Sequence, residues 1–234
     1  MVDSVNKDRA DRVFNLCLSK FKFADAKLLS HFPAQHWYDV TIDPIESWEA
    51  YSEFMIKNLG DHFTTSHCLV VQWDGFIVNP ESWTDDFLNY DYIGAPFPPS
   101  LLSRFPDEWG MGRPDNCIAY NGGFSLRSKK LYAALKQIHL GNCHPEDQAI
   151  CGYYRTELEG FGIKFPPLST ARKFAVEYGD LIKDQFGQHG GYLDEVGNIV
   201  DRNVCGRRLD YKDWQKRSNL NALTAHARRR NRGN

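Results

Sequence analysis

"LVVQWDGFIVNP", residues 69–80, sets one acid, Asp74, directly behind an apolar run. With the two residues before it, "HCLVVQ" (67–72) reads as a continuous strand covered on both faces, the pattern of a parallel strand packed between helices. A carboxylate at the mouth of such a strand is costly to bury unless something pairs with it. Gly75 follows, and allows a tight turn and the close approach of a ligand. Two readings stand side by side. Asp74 caps the turn after the strand, or it holds Mg²⁺ or Mn²⁺, hard ions that prefer oxygen and bridge to phosphates. In open α/β sheets, ligands bind outside the carboxyl ends of the strands, which is where Asp74 stands.

Working outward, Val2 to Val5 reads as the end of a first strand. Ala10, Val13, Phe14 and Cys17 follow the spacing of a helix with one buried face. "AKLLS" (26–30) and "YDVTI" (38–42) read as strands, and 46–59 as a helix burying Trp48, Tyr51, Met55 and Leu59. Downstream, "YDYIGAPF" (90–97) is a short strand, 98–120 a Pro/Gly/Asp-rich loop, and "CIAYNGGFSLR" (117–127) a strand broken by two glycines. Leu131, Ala134, Leu135 and Ile138 mark another helix, and "HPEDQAICGYYRTELE" (144–159) starts one with Pro at its first position and acids in its first turn. The alternation predicts an α/β domain with a mainly parallel central sheet flanked by helices.

The chain has 234 residues, 42% of them hydrophobic and 14% aromatic, enough for one domain with a sizeable core. It contains no run of 18 apolar residues and opens on no basic-apolar leader, so a soluble, cytoplasmic protein is expected. Six cysteines without CxxC pairs fit neither a zinc site nor a disulfide scaffold, and free thiols are expected. The net charge of −2 hides an asymmetry: residues 207–234 hold nine Lys/Arg against two Asp. We therefore expect a domain over 1–195 and a basic, partly disordered extension over 196–234, able to attract phosphate polymers such as DNA.

Three further stretches could carry chemistry. Successive glycines in "NGGFSLR" (121–127) weaken a strand unless a ligand or backbone must come close, the alternative being a simple bulge. Asn121 beside them can hydrogen-bond a hydroxyl. In "HPED" (144–147), Glu146 and Asp147 sit at a helix N-terminus whose dipole keeps a carboxylate ionised, and either serves as a general base or merely complements the dipole. In "FGQHGG" (186–191), His189 is a metal ligand on a glycine-rich loop or a surface imidazole. Trp73, Trp109 and the 98–120 loop, with "DEWGMG" (107–112) as a lid, could shape an acceptor pocket.

The order of these pieces resembles a nucleotide-sugar glycosyltransferase of the GT-A fold, and more closely a bacterial and viral family of glycosyltransferase-like domains. The resemblance is carried by "VDSVNKDRA", "FKFADAKLLS", "VVQWDGFIVNP", "DYIGAPF", "NGGFSLRSKK", "HPEDQAICG", "FAVE" and "FGQHG", in that order from residue 2 to about 191. It implies a GT-A-like, Rossmann-like single domain. It implies a nucleoside diphosphate-sugar donor and a hydroxyl acceptor, which could be a glycan, a lipid-linked sugar, a protein or a modified nucleic acid. The place of the family's Asp-x-Asp motif is held here by Gln72-Trp73-Asp74, so only its last acid matches. The resemblance makes Asp74 and His189 ligands of Mn²⁺ or Mg²⁺, and places Asp3, Ser4 and Asn6, with Gln72 and Trp73, at the nucleotide. It sets Asn121, Gly122 and Gly123 against donor sugar and acceptor, and makes Asp147, with Glu146 alongside, the base of an inverting transfer. A retaining transfer would dispense with that base. Two other classes compete: an inactive domain that binds a carbohydrate or nucleotide, and a nucleic-acid-associated protein that uses the basic tail.

Overall fold

A computed structural model describes residues 1–97, 119–141, 143–177, 184–193 and 199–201, all within the unit Met1–Asn203. The 98–118 part of the expected loop, with Trp109, the "DEWGMG" lid and Cys117, lies outside the described residues, as does the extension beyond Asp201, with Cys205. The four described cysteines, Cys17, Cys68, Cys143 and Cys151, are free.

Helix α1 (Lys7–Lys20) forms where the apolar spacing predicts it, burying Ala10, Val13, Phe14 and Cys17. Asn6 caps it: its side chain accepts the Arg9 N–H, satisfying a donor that the first turn leaves open. Strands β1 (Leu28–Ser30) and β2 (Asp39–Thr41) pair in parallel. Val2 alone of the expected first strand joins them, through a parallel bridge to Leu29. Helix α2 (Trp48–Lys57) buries Met55 and Ile56, while Trp48 at its start is 44% exposed and faces water rather than the core.

The central sheet corrects the expected topology. Strand β3 (His67–Val71) is followed by β4 (Gly75–Ile77), β5 (Tyr92–Pro96) and β6 (Tyr120–Ser128). The order is β3-β6-β5, and both pairings are antiparallel. Helices α3 (Lys129–Leu135), α4 (Glu146–Gln148), α5 (Arg155–Gly160) and α6 (Leu168–Phe174) follow, then β7 (Ala175–Val176) and β8 (Gly187–His189). Strand β8 lies between β4 and β7, antiparallel to the first and parallel to the second. A last antiparallel pair, β9 (Tyr192–Leu193) and β10 (Ile199–Asp201), lies on either side of the expected boundary at 195.

The chain therefore carries several small sheets of mixed direction, and the mainly parallel, Rossmann-like GT-A-type sheet is not what it forms. The physical reason lies in the core. Val70 and Tyr92 belong to one apolar cluster, with Met55, Leu131, Ile150 and Leu158. Val71 and Ile93 belong to another, with Val13, Phe14, Phe76 and Phe186. The β3-β6-β5 sheet is thus covered on both faces, which produces the unbroken apolar run of residues 69–71. Burial on both faces fixes the composition of a strand but not its direction.

Two helix and strand boundaries also differ from expectation. The helix foreseen over 144–159 is divided into α4, a wider π turn (Ala149–Tyr153) and α5. Strand β6 runs through both glycines, but its register against β5 shifts: Gly94 pairs with Ser125 and Pro96 with Tyr120. The glycines stand in that irregular stretch.

Behind the sheet, Phe87, Phe124, Phe174 and Phe186 form an aromatic cluster, with Phe124 and Phe174 centroids 5.4 Å apart. Gly187 is part of its wall. A Cβ there would sit 2.0 Å from the Phe124 ring. Gly187→Ala is expected to destabilise the chain by about 1–3 kcal/mol through overpacking. Denaturant unfolding measures this, and an unchanged midpoint would mean that the ring can withdraw.

Candidate functional site

Asp74 and His189 lie 115 positions apart in the chain and are joined by a strand register. Gly75, the first residue of β4, pairs with His189, the last of β8, and the Gly191 amide donates to the Asp74 carbonyl at 3.3 Å. The His189 imidazole is 5% exposed. Its Nε2 lies 3.4 Å from Asp74 Oδ1 and 3.4 Å from Gln72 Oε1. Gln72 is held in that orientation because its amide nitrogen donates to the Tyr51 hydroxyl at 2.6 Å. Asp74 Oδ1 is buried, and among the described residues no group donates a hydrogen bond to it.

Two oxygens and one imidazole nitrogen thus converge, and the donor set fits a small hard cation. Ligand atoms about 2.1 Å from such an ion and at right angles to one another lie about 3 Å apart. Among the described residues, no three side chains drawn from His, Cys, Asp and Glu form a ligand set by themselves. An ion here would use Asp74, His189 and the Gln72 amide, and take its other ligands from water and phosphate, as Mg²⁺ commonly does.

Gly123 adjoins this cluster. A Cβ on it would lie 2.1 Å from His189 Nε2 and 2.4 Å from Gln72 Oε1. Gly122 adjoins a second cluster: its Cβ would lie 2.2 Å from Glu146 Oε1. The doubled glycine is therefore a close approach of backbone to two groups of polar side chains at once. Asn121 is engaged locally, accepting the Gly123 N–H at 2.6 Å.

In the second cluster the two acids have different surroundings. Glu146 is paired with the fully buried Arg127 at 3.0 Å. Arg127 also donates to the Gly122 carbonyl and the Ser125 hydroxyl, and its guanidinium lies 5.1 Å from the Tyr92 ring centre. Asp147 instead accepts two backbone N–H groups, from Gly122 at 3.2 Å and Gln148 at 2.7 Å. Burial pushes its carboxyl up to about 7, the Glu146 and Glu177 charges add to this, and the two amides only partly offset it. This corrects the expectation that a helix dipole keeps Asp147 ionised. Helix α4 is three residues long, too short to present much of a dipole, and desolvation prevails.

The residues expected at the nucleotide are used partly by the backbone. Asp3 accepts the Val5 and Asn6 amides and lies 3.7 Å from Arg9. Ser4 accepts the Ile45 amide at 3.3 Å, and Asn6 is the cap of α1. Trp73 stacks on the Arg9 guanidinium, 4.0 Å from its centre. Burial pushes Arg9 down to about 10, against the upward pull of Asp3 and Asp74.

Sequence reasoning passed over Arg9, Tyr51, Arg127 and Glu177. For Glu177 a signal exists: it is a lone acid directly after the apolar Phe174, Ala175 and Val176, the pattern that singled out Asp74. It is buried, with Oε1 3.4 Å from His189 Nδ1. Arg127 offers no such signal, since a cation near the end of a strand ordinarily reads as solvent-facing.

A family model described as "Protein of unknown function (DUF5672)" matches residues 19–189, well over half of the chain, and the chain belongs to that family. No curated protein matches it. Among the described residues no helix is long and apolar enough to cross a membrane.

Proposed function

We propose that this member of the DUF5672 family transfers a sugar from a nucleoside diphosphate-sugar donor to a hydroxyl acceptor, with inversion and with Asp147 as the base. The observation that carries the reading is the pairing of two unlike clusters on one glycine pair. On Gly122 lies a buried carboxyl pushed up to about 7, near the working pH, where a general base is most effective. On Gly123 lies the convergence of Asp74, Gln72 and His189.

Asp147 takes the proton of the acceptor hydroxyl as its oxygen attacks the anomeric carbon and the bond from that carbon to the diphosphate breaks. The Gly122 and Gln148 amides aim the carboxylate. Glu146 stays with Arg127 and takes no part in the proton transfer. Asp74, His189 and Gln72 would hold Mn²⁺ or Mg²⁺, which when bound supplies Lewis-acid stabilisation of the departing diphosphate.

The test is thermal unfolding of the full chain with each nucleoside diphosphate and common nucleotide sugar, with Mn²⁺ and with EDTA. A ligand at 100 times its Kd stabilises by about 2.7 kcal/mol, and a shift that EDTA abolishes is expected for one diphosphate. Release of that diphosphate from its sugar in the presence of a hydroxyl acceptor then separates transfer from binding. No shift with any compound would sink the reading.

A second reading is favoured by one observation: the amide Gln72 stands where a carboxylate would hold an ion more firmly. It makes the chain a carbohydrate- or nucleotide-binding module without turnover. Ligand-induced stabilisation with no diphosphate release would favour it.

A further inference from the structure

We infer that Glu177 is a positioning residue that holds the His189 ring with Nε2 turned into the Gln72–Asp74 cluster; the inference rests on the reading of that cluster as an ion site. The "FAVE" stretch places Glu177 directly after β7, and β7 pairs in parallel with β8, whose last residue is His189. The neighbouring strand thus brings Glu177 Oε1 to 3.4 Å from His189 Nδ1. Its side chain is 0% exposed and that of His189 is 6% exposed, so solvent does little to set the ring's orientation.

Each ring nitrogen faces a carboxylate at 3.4 Å: Nδ1 faces Glu177, and Nε2 faces Asp74 Oδ1 with Gln72 Oε1 beside it. A neutral imidazole has one N–H. A cation held by Asp74 and Gln72 would take the Nε2 lone pair and leave that proton on Nδ1, the side on which Glu177 stands. A ligating imidazole whose other nitrogen donates to a carboxylate is held in tautomer and orientation, and removal of that carboxylate typically weakens the ion by about 10- to 100-fold. Gly123 contributes by absence, since a side chain there would occupy the space in front of Nε2.

The experiment uses the full chain with no donor present. Mn²⁺ affinity is measured by electron paramagnetic resonance for the unaltered chain, Glu177→Gln and Glu177→Asp. We expect Glu177→Gln to bind Mn²⁺ about 10- to 100-fold more weakly, with Glu177→Asp recovering part of the loss. Equal Mn²⁺ affinity in all three chains overturns the role of Glu177 while leaving the ion site intact. No Mn²⁺ binding by the unaltered chain removes the ion-site reading itself, and the role of Glu177 with it. Should Glu177→Gln fail to fold, the Mn²⁺ affinity of Glu177→Asp against that of the unaltered chain still decides.

Discussion

If Asp147 is the base, Asp147→Asn should lower turnover by about 10²- to 10⁴-fold, the usual worth of a positioned base, and leave affinity for the nucleoside diphosphate close to that of the unaltered chain. The amide keeps the shape of the carboxyl and can accept one of the two backbone N–H groups, from Gly122 or Gln148, but not both, so the side chain keeps its place with one bond fewer while the proton acceptor is lost. The pH dependence follows from the same group. With its carboxyl pushed up to about 7, Asp147 is mostly protonated below that pH, so the proposed transfer should show a kcat/KM that rises as pH increases through about 7 and then levels off. The variant lacks this limb. Stability moves the opposite way. The unfolded chain releases this proton near 3.8 and the folded chain near 7, so across that window the folded state holds more protons and loses stability as pH rises. Asp147→Asn removes that decline. Parallel urea titrations of both chains at pH 5 and pH 8 measure it, alongside initial rates. Near-normal turnover in the variant would remove Asp147 from the role.

Arg127→Met produces the largest expected loss of stability. Arg127 is completely buried and pairs with Glu146 at 3.0 Å, and removing one partner of such a pair typically costs about 3–5 kcal/mol because the other charge is left buried alone. Its contacts with Gly122, Ser125 and Tyr92 fall with it. Arg127→Lys does not substitute, since a single ammonium cannot reproduce the guanidinium fork. The double variant Arg127→Met/Glu146→Gln should recover part of the loss, as neighbouring sites couple. Denaturant unfolding of the unaltered chain, Arg127→Met, Glu146→Gln and the double variant gives the coupling, and an Arg127→Met chain within about 1 kcal/mol of the unaltered one would show that water reaches Glu146.

The elements legible in the sequence were those set by local pattern. Ala10, Val13, Phe14 and Cys17 gave away α1, and the apolar 69–71 run gave away a strand covered twice. Strand direction was not legible, because burial constrains side chains whereas pairing is decided by residues far off in the chain, Phe124 to Ser128 in the case of β3. The candidate site divides in the same way. Asp74, Gly122, Gly123, Asp147 and His189 stood out as acids, glycines and an imidazole at unusual places. Their partners did not: Tyr51, which turns Gln72, and Arg127, which occupies Glu146, belong to residue types whose ordinary fates are packing and solvent.

The register that joins Gly75 to His189 has a consequence for how this chain can vary in length. Strands β4 and β8 have three residues each. Loss or gain of one residue within either would turn its side chains to the other face and carry His189 away from Asp74. Insertions elsewhere, in exposed turns, leave that meeting untouched. The six positions of the two strands therefore tolerate indels poorly, although five of them contribute no side chain to the cluster.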